Sequence, residues 1–173
     1  RLILLMSVAV FAINHGMGNW LVEILQSFGA SASRASALAT IPVGIGILSA
    51  LTLPRMAVGS RRFSVLTLLF SCSVVASLAL LAQPVGIWLY LALVVEGIAA
   101  GSMMTVLVLT LVEVPGVGGK RAGTAGGLFF SAAEIGGVGG PVLLGVLFHS
   151  YGNFNSSLLV LTLLGVLLVL SVL

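Results

Sequence analysis

"FSVLTLLFSCSVVASLALLA", residues 63–82, is an unbroken apolar run without a charge, a glycine or a proline. At 1.5 Å per residue a helix of this length covers about 30 Å, the thickness of a bilayer's hydrocarbon core. Membrane-spanning β-strands would instead appear as short alternating segments, and the sequence has none. A helix satisfies every backbone group internally, which is what a medium without water demands.

Working outward, the run is bounded by "PRMAVGSRR" (54–62) and "AQPVG" (82–86), and similar breaks recur at "SFGASASR" (27–34), "EVPGVGGKR" (113–121) and "SYGNFN" (150–155). Each carries the Gly, Pro, Asn or Ser that ends helices and builds turns. The spacing predicts six helices, over about 2–27, 35–54, 63–82, 86–112, 122–149 and 155–173. Composition agrees: 60% of the 173 residues are hydrophobic, 6% are charged and none is Asp, against about a quarter charged in a soluble domain. The first run continues past Trp20 to about Leu25 without an A-x-A site, so it reads as a span and not a cleaved leader. The single Cys72 forms no internal disulfide.

The net charge of +3 resembles a nucleic-acid signal only until the charges are placed. Arg1, Arg55, Arg61, Arg62, Lys120 and Arg121 fall on one side of the predicted spans and Arg34 alone on the other. By the positive-inside rule both termini are expected in the cytoplasm, in a plasma (inner) membrane, with no nucleic-acid partner. Trp20 and Trp88 then lie toward the outer interface, unless either faces a cavity. Helices 3 and 6 are nearly plain, whereas 1, 2, 4 and 5 hold almost all the embedded polar groups, Gly and Pro. The alternation points to a single all-α domain over 1–173 built as a 3+3 inverted repeat, about 1–83 and 84–173.

Within "FFSAAEIGGVGGPVLLG" (129–145) stands Glu134. It lies thirteen residues after Arg121, and His15 fourteen after Arg1, so each is roughly 20 Å from the cytoplasmic interface. Glu96, eight residues after Trp88, is about 12 Å below the outer one. All three are therefore expected near one level, where transporters hold solutes and coupling ions. Helical spacing gives Glu134 a small, polar face with Gly123, Gly127, Ser131, Val138, Pro141 and Gly145. A lone carboxylate at the bilayer centre costs about 2.5–3.5 kcal/mol on insertion scales, so the face should meet a helix or a wet cleft. There it serves either as a proton carrier or as structural glue between helices. His15, in "AINHGMGNW", is the matching proton partner or else a neutral ring bonded to backbone, and Asn14, Asn19 and Trp20 accompany it. Glu23 and His149 are expected to be solvated, and Glu113 to pair with Lys120 or Arg121. Gly97 with Gly101, and Gly136 with Gly140, are small-xxx-small pairs for close helix approach, and Pro42 and Pro141 are expected to kink helices 2 and 5.

Several of these patterns resemble the major facilitator superfamily. In "PRMAVGSRRF", Gly59, Arg61 and Arg62 match the end of that family's loop signature G-x-x-x-D-R/K-x-G-x-R/K-R/K. The signature's first Gly, its Asp and its next basic residue fall on Thr52, Met56 and Ala57. Such degeneration is typical of the second half of the family, which implies helices 7 to 12 of a twelve-helix transporter. Gly127, Gly136, Gly140-Pro141 and Leu144-Gly145 are similar to the antiporter-type glycine signature, with Leu144 standing where a second Gly is expected. Trp20-Leu21-Val22 looks like the Trp-Leu-Pro of the cyanate and nitroimidazole transporter-like branch, without its Pro. The resemblance implies alternating access between this half and a missing N-terminal six-helix half, with helices 1 and 4 lining the cavity, 2 and 5 flanking it, and 3 and 6 outside.

The function expected is secondary transport of a small solute, coupled to protons by symport or antiport. Its pathway would use His15, Glu134, Glu96, Asn14, Asn19, Trp20 and Ser131, with Ser102 and Thr105 as further neutral donors. Gly59, Arg61 and Arg62 would form a cytoplasmic gate loop, or carry topological charge alone. The competing expectation is a structural or assembly bundle with no solute pathway. An intramembrane hydrolase is disfavoured because Ser102, in "AAGSMM", lacks a nucleophile elbow. Two distant His and four scattered Glu show no metal-ligand spacing, and no cofactor is called for.

Overall fold

In the computed structural model, which describes residues 1–172 and only the backbone of 118–120, the apolar runs form six helices. They are α1 (Leu2–Ser27), α2 (Ala32–Met56), α3 (Arg61–Leu81), α4 (Ile87–Val112), α5 (Gly118–Tyr151) and α6 (Asn155–Leu170). No strand occurs among the described residues. The first five helices are long and apolar enough to cross a membrane, so the chain is a helical bundle of the integral membrane type.

Helix ends follow local chemistry. The Ser31 side chain accepts the Arg34 N–H at 3.3 Å and starts α2. Gly152, at φ +68°, closes α5 in the left-handed conformation that favours glycine, its N–H reaching the Phe148 carbonyl at 2.8 Å. α5 therefore runs longer than the expected 122–149. α6 stops at Leu170, short of the expected end at 173, with the Ser171 hydroxyl turned back onto the Leu168 carbonyl at 2.6 Å. Pro42 and Pro141 both lie inside helices that continue across them, so each loses a backbone donor without ending its helix.

The two broadest interfaces are α1 on α5 and α2 on α4, and both are glycine seams. A Cβ on Gly136 would run into the Val8 carbonyl, and one on Gly140 into the Ala12 backbone. In the other seam a Gly97 Cβ would stand 2.7 Å from the Pro42 oxygen, and a Gly101 Cβ would overlap the Gly46 backbone. Residue numbers rise together across both seams, so each pair of helices is parallel. α3 and α6 meet antiparallel, with the Ser77 and Thr162 hydroxyls 2.8 Å apart and Val74 packed on Gly165. Arg1, Arg62, Glu113, Val117 and Ser171 line one shared cleft, which puts the start of α1, the end of α6 and the connections α2–α3 and α4–α5 at one end of the bundle. Consecutive helices thus run in opposite senses, and six of the seven basic residues sit at that end, with Arg34 at the other.

Coverage is unequal. α2 and α5 are the least buried spans, at 22% and 28% of the apolar window, against 44–50% for α1, α3 and α4. α3, which its plain sequence would allow to face lipid on most sides, buries a full face from Val65 to Leu80 against α4 and α6.

Candidate functional site

Two adjacent residues of α1 point toward different neighbouring helices and divide the polar groups into two sets. Successive helical residues differ by about 100°, so Asn14 turns toward α4 while His15 turns toward α5.

On the α5 side, His15 is exposed and its ring stacks on Phe11, with centroids 5.2 Å apart. The Asn19 amide donates to the His15 carbonyl at 2.8 Å. Below them Ser131 and Glu134 are also exposed, on the same face as Gly127 and Val138. Gly137 is the floor between the two ionisable groups. Were it to carry a Cβ, that atom would lie 3.1 Å from Glu134 Oε2 and 3.8 Å from His15 Cε1. The exposed line continues along α1 through Gly18, Asn19, Glu23 and Gln26, at three- and four-residue spacing. Glu23 is exposed in the chain on its own.

The expected equal depth of Glu134, His15 and Glu96 is corrected by the seam. Gly136 faces Val8 and Gly140 faces Ala12, so the Glu134 backbone is level with Met6, about nine residues or roughly 13 Å below His15. The cause is that α5 begins well below the level of Leu2, so counting from Arg121 overstates the depth of Glu134. Only the reach of the two side chains brings them toward Gly137. Glu96 is displaced the other way, one turn beyond Ala100, whose carbonyl accepts from Asn14 Nδ2 at 3.4 Å.

On the α4 side, α1, α2 and α4 enclose a cleft of about 380 Å³. Asn14 and Glu96 are its polar groups, set among Met17, Leu21, Pro42, Val43 and Ile47. Glu96 is 2% exposed. Its Oε2 and the Asn14 Oδ1 are buried without a hydrogen-bond partner. The small residues Gly18, Gly46, Ala100 and Gly101 provide the space.

Trp20 and Ser102 are occupied in holding helices together. Trp20 is half-buried, donates Nε1 to the Pro141 carbonyl at 2.9 Å and packs on Gly145, Phe148 and Phe154. It therefore offers no free polar group. Ser102 is buried and shares a 2.7 Å hydrogen bond with Ser49, which also reaches the Ile98 carbonyl at 2.7 Å. Thr105 is exposed. Gly145, expected on the open Glu134 face, is turned instead under the Trp20 ring.

At the basic end, Gly59 adopts φ +55° in the α2–α3 connection, and Arg61 is exposed. Arg62 is buried, donates Nε to the Ala57 carbonyl at 3.4 Å and forms an ion pair through Nη2 with Glu113 Oε1. Glu113 thus pairs with Arg62 rather than with the expected Arg121; the side chain of Lys120 lies outside the described residues. Antiparallel contact of α3 with α4 brings the start of one against the end of the other, a proximity that loop counting misses.

Sequence reasoning did not single out Phe11, Gly137 or Gly46. Gly137 had a signal in its place within "GGVGG", and Gly46 in its four-residue spacing from Pro42, which mirrors Gly97 and Gly101. Compared with known proteins, the chain matches no family model and no curated protein.

Proposed function

We propose that the chain is one six-helix half of a secondary transporter that moves a small solute by alternating access, coupled to protons, with both termini cytoplasmic. The observation that carries this reading is the open polar face of α1 and α5. His15, Asn19, Ser131 and Glu134 stand exposed in helices whose length and composition otherwise suit lipid. An ionisable group at membrane depth faces a water-filled path or another protein surface and not acyl chains. A second helical unit opposite this face would enclose it, with the exposed carboxylate and imidazole facing a shared aqueous path.

The helix contacts support the 3+3 repeat. Shifting every helix number by three carries the α1–α5 seam onto the α4–α2 seam. Val8 and Ala12 against Gly136 and Gly140 correspond to Gly97 and Gly101 against Pro42 and Gly46. The α3–α6 contact maps onto itself, as expected for the pair on the pseudo-axis. The likeness of Gly59, Arg61 and Arg62 to the major facilitator loop signature fits the same architecture. The ion pair of buried Arg62 with the exposed Glu113 joins the start of α3 to the end of α4, and a gate latch at this end of the bundle would use such a contact.

The test is solute-dependent proton movement by the full-length protein in proteoliposomes, comparing wild type with Glu134→Gln across a panel of small solutes. Proton flux that depends on solute and falls about ten-fold or more in the variant is the expected result. Solute uptake with an unaltered proton requirement would return Glu134 to a structural role, and no uptake of any solute would remove the transport reading.

A further inference from the structure

The cleft between α1, α2 and α4 carries a specific chemical demand. Its fully buried side-chain atoms without partners are both acceptors, Glu96 Oε2 and Asn14 Oδ1. A buried acceptor left unpaired keeps its desolvation penalty without a compensating bond, and the penalty is larger where the group is charged. Among the described residues no Lys, Arg or His lines the cleft, so none of them balances a carboxylate in its wall. An anionic solute would meet Glu96 with like charge, whereas a cation bearing N–H groups would supply both the missing charge and the missing donors.

Two alternatives fail on the same wall. A bare divalent cation such as Ca²⁺ or Mg²⁺ takes about six oxygen ligands, and the side-chain oxygens of this wall come from Glu96 and Asn14 alone, among aliphatic groups. A quaternary ammonium has no N–H to donate and is held by aromatic rings, of which the cleft has none. Met17, Leu21, Pro42, Val43 and Ile47 present aliphatic surface. The cleft volume of about 380 Å³ is at the small end of ligand sites, which run from about 300 to 1,000 Å³.

We propose that this cleft binds a small aliphatic primary ammonium ion, whose N–H groups donate to Glu96 and to Asn14 Oδ1 while its hydrocarbon body lies along Met17, Leu21 and Ile47. The assignment deepens the transport reading by naming a solute class, and it rests on that reading for its physiological role; binding itself is measured without transport.

Isothermal titration of the detergent-solubilised full-length protein with cyclohexylammonium chloride at neutral pH is the experiment, with cyclohexanol, sodium cyclohexanecarboxylate and tetramethylammonium chloride alongside. The ammonium ion is expected to bind about ten-fold or more tightly than each of the other three, and Glu96→Gln to weaken it by a similar factor. Ile47→Trp is the second variant, because Ile47 lines the cleft but is 59% exposed, so the larger ring obstructs the site with little demand on folding. It too is expected to lose binding. Cyclohexanol binding as well as the ammonium ion, competition by sodium at constant ionic strength, or unchanged affinity in Glu96→Gln and Ile47→Trp would each overturn the assignment. Ammonium binding with no uptake of any solute in proteoliposomes would keep the site and remove the transporter. Uptake of an anion or a neutral solute without ammonium binding would do the reverse.

Discussion

Gly136 and Gly139 stand three residues apart on α5 and make opposite demands on an added methyl group. A Cβ at Gly136 would meet the Val8 carbonyl and come within 3.0 Å of the Ala12 nitrogen, both backbone atoms of a neighbouring helix. Neither can rotate away, so α1 and α5 would have to separate along the seam that also buries Gly140 against Ala12. Overpacking of this kind costs about 1–3 kcal/mol. A Cβ at Gly139 has nothing within 4 Å. There alanine gains only the difference in helix preference, about 1 kcal/mol or less in its favour. Gly136→Ala is therefore expected to lower stability and Gly139→Ala to leave it level or raise it, a separation of about 1–3 kcal/mol, because the helix-preference gain is common to both and only the clash distinguishes them. Thermal unfolding of the two variants in one detergent, read by size-exclusion recovery after heating, measures the order directly. Equal loss of recovery in both would mean that general disturbance of α5 matters and the seam does not. Unimpaired recovery of Gly136→Ala would show that the helices do not approach as closely as Val8 and Gly136 require.

Other substitutions probe separate contacts. Glu113→Ala should destabilise more than Arg62→Met by about 1 kcal/mol or more, since the first strands a buried guanidinium and the second leaves a carboxylate that is already 56% exposed; chemical denaturation in detergent, with the double variant closing the cycle, checks the order. Trp20→Phe keeps the ring against Phe148 and Phe154 but loses the Nε1 bond to the Pro141 carbonyl, a loss of about 1 kcal/mol; the matched heating assay reads it, and a variant as stable as wild type would show the bond to be dispensable. Ser77→Ala and Thr162→Val should show a coupling of about 0.6 kcal/mol in a double-mutant cycle, the scale found for polar contacts between membrane helices; purely additive effects would separate α3 from α6 at that level.

What was legible in the sequence follows from what a helix encodes locally. Element existence and most boundaries could be read because apolar length and Gly, Pro, Asn or Ser breaks act within a few residues, as at Gly152 and Ser31. Close approach at Gly97, Gly101, Gly136 and Gly140 was also legible, because only small side chains permit it. The register between helices was not. Counting from Arg121 treats α5 as starting level with α1, yet the Val8–Gly136 contact sets Glu134 level with Met6. Nor does periodicity say which neighbour covers a face: the line through Ser131 and Glu134 stays open, while Trp20 spends its N–H on a backbone carbonyl. These are properties of pairs of helices, and no single stretch of chain contains them.

The seams also decide where a cleft can exist in this bundle. α1 with α5, and α2 with α4, are closed at backbone distance, so neither pair has room between its helices for a ligand or freedom to part without breaking many contacts at once. The interface of α1 with α2 is far smaller, as are those of α1 with α4 and α4 with α5. The cleft of Asn14 and Glu96 lies on this looser boundary, bordered by one helix of the first pair and both helices of the second. A glycine seam so placed does two things: it lets polar groups on α1 stand free on either side of the helix, and it keeps that helix rigid against α5. Asn14 and His15, adjacent in sequence, are carried by the same rigid pair, so any tilt of α1 and α5 against α2 and α4 moves the cleft wall and the open face together. In the transport proposed above, coupling between the cleft and the open face would pass through this shared stretch of α1.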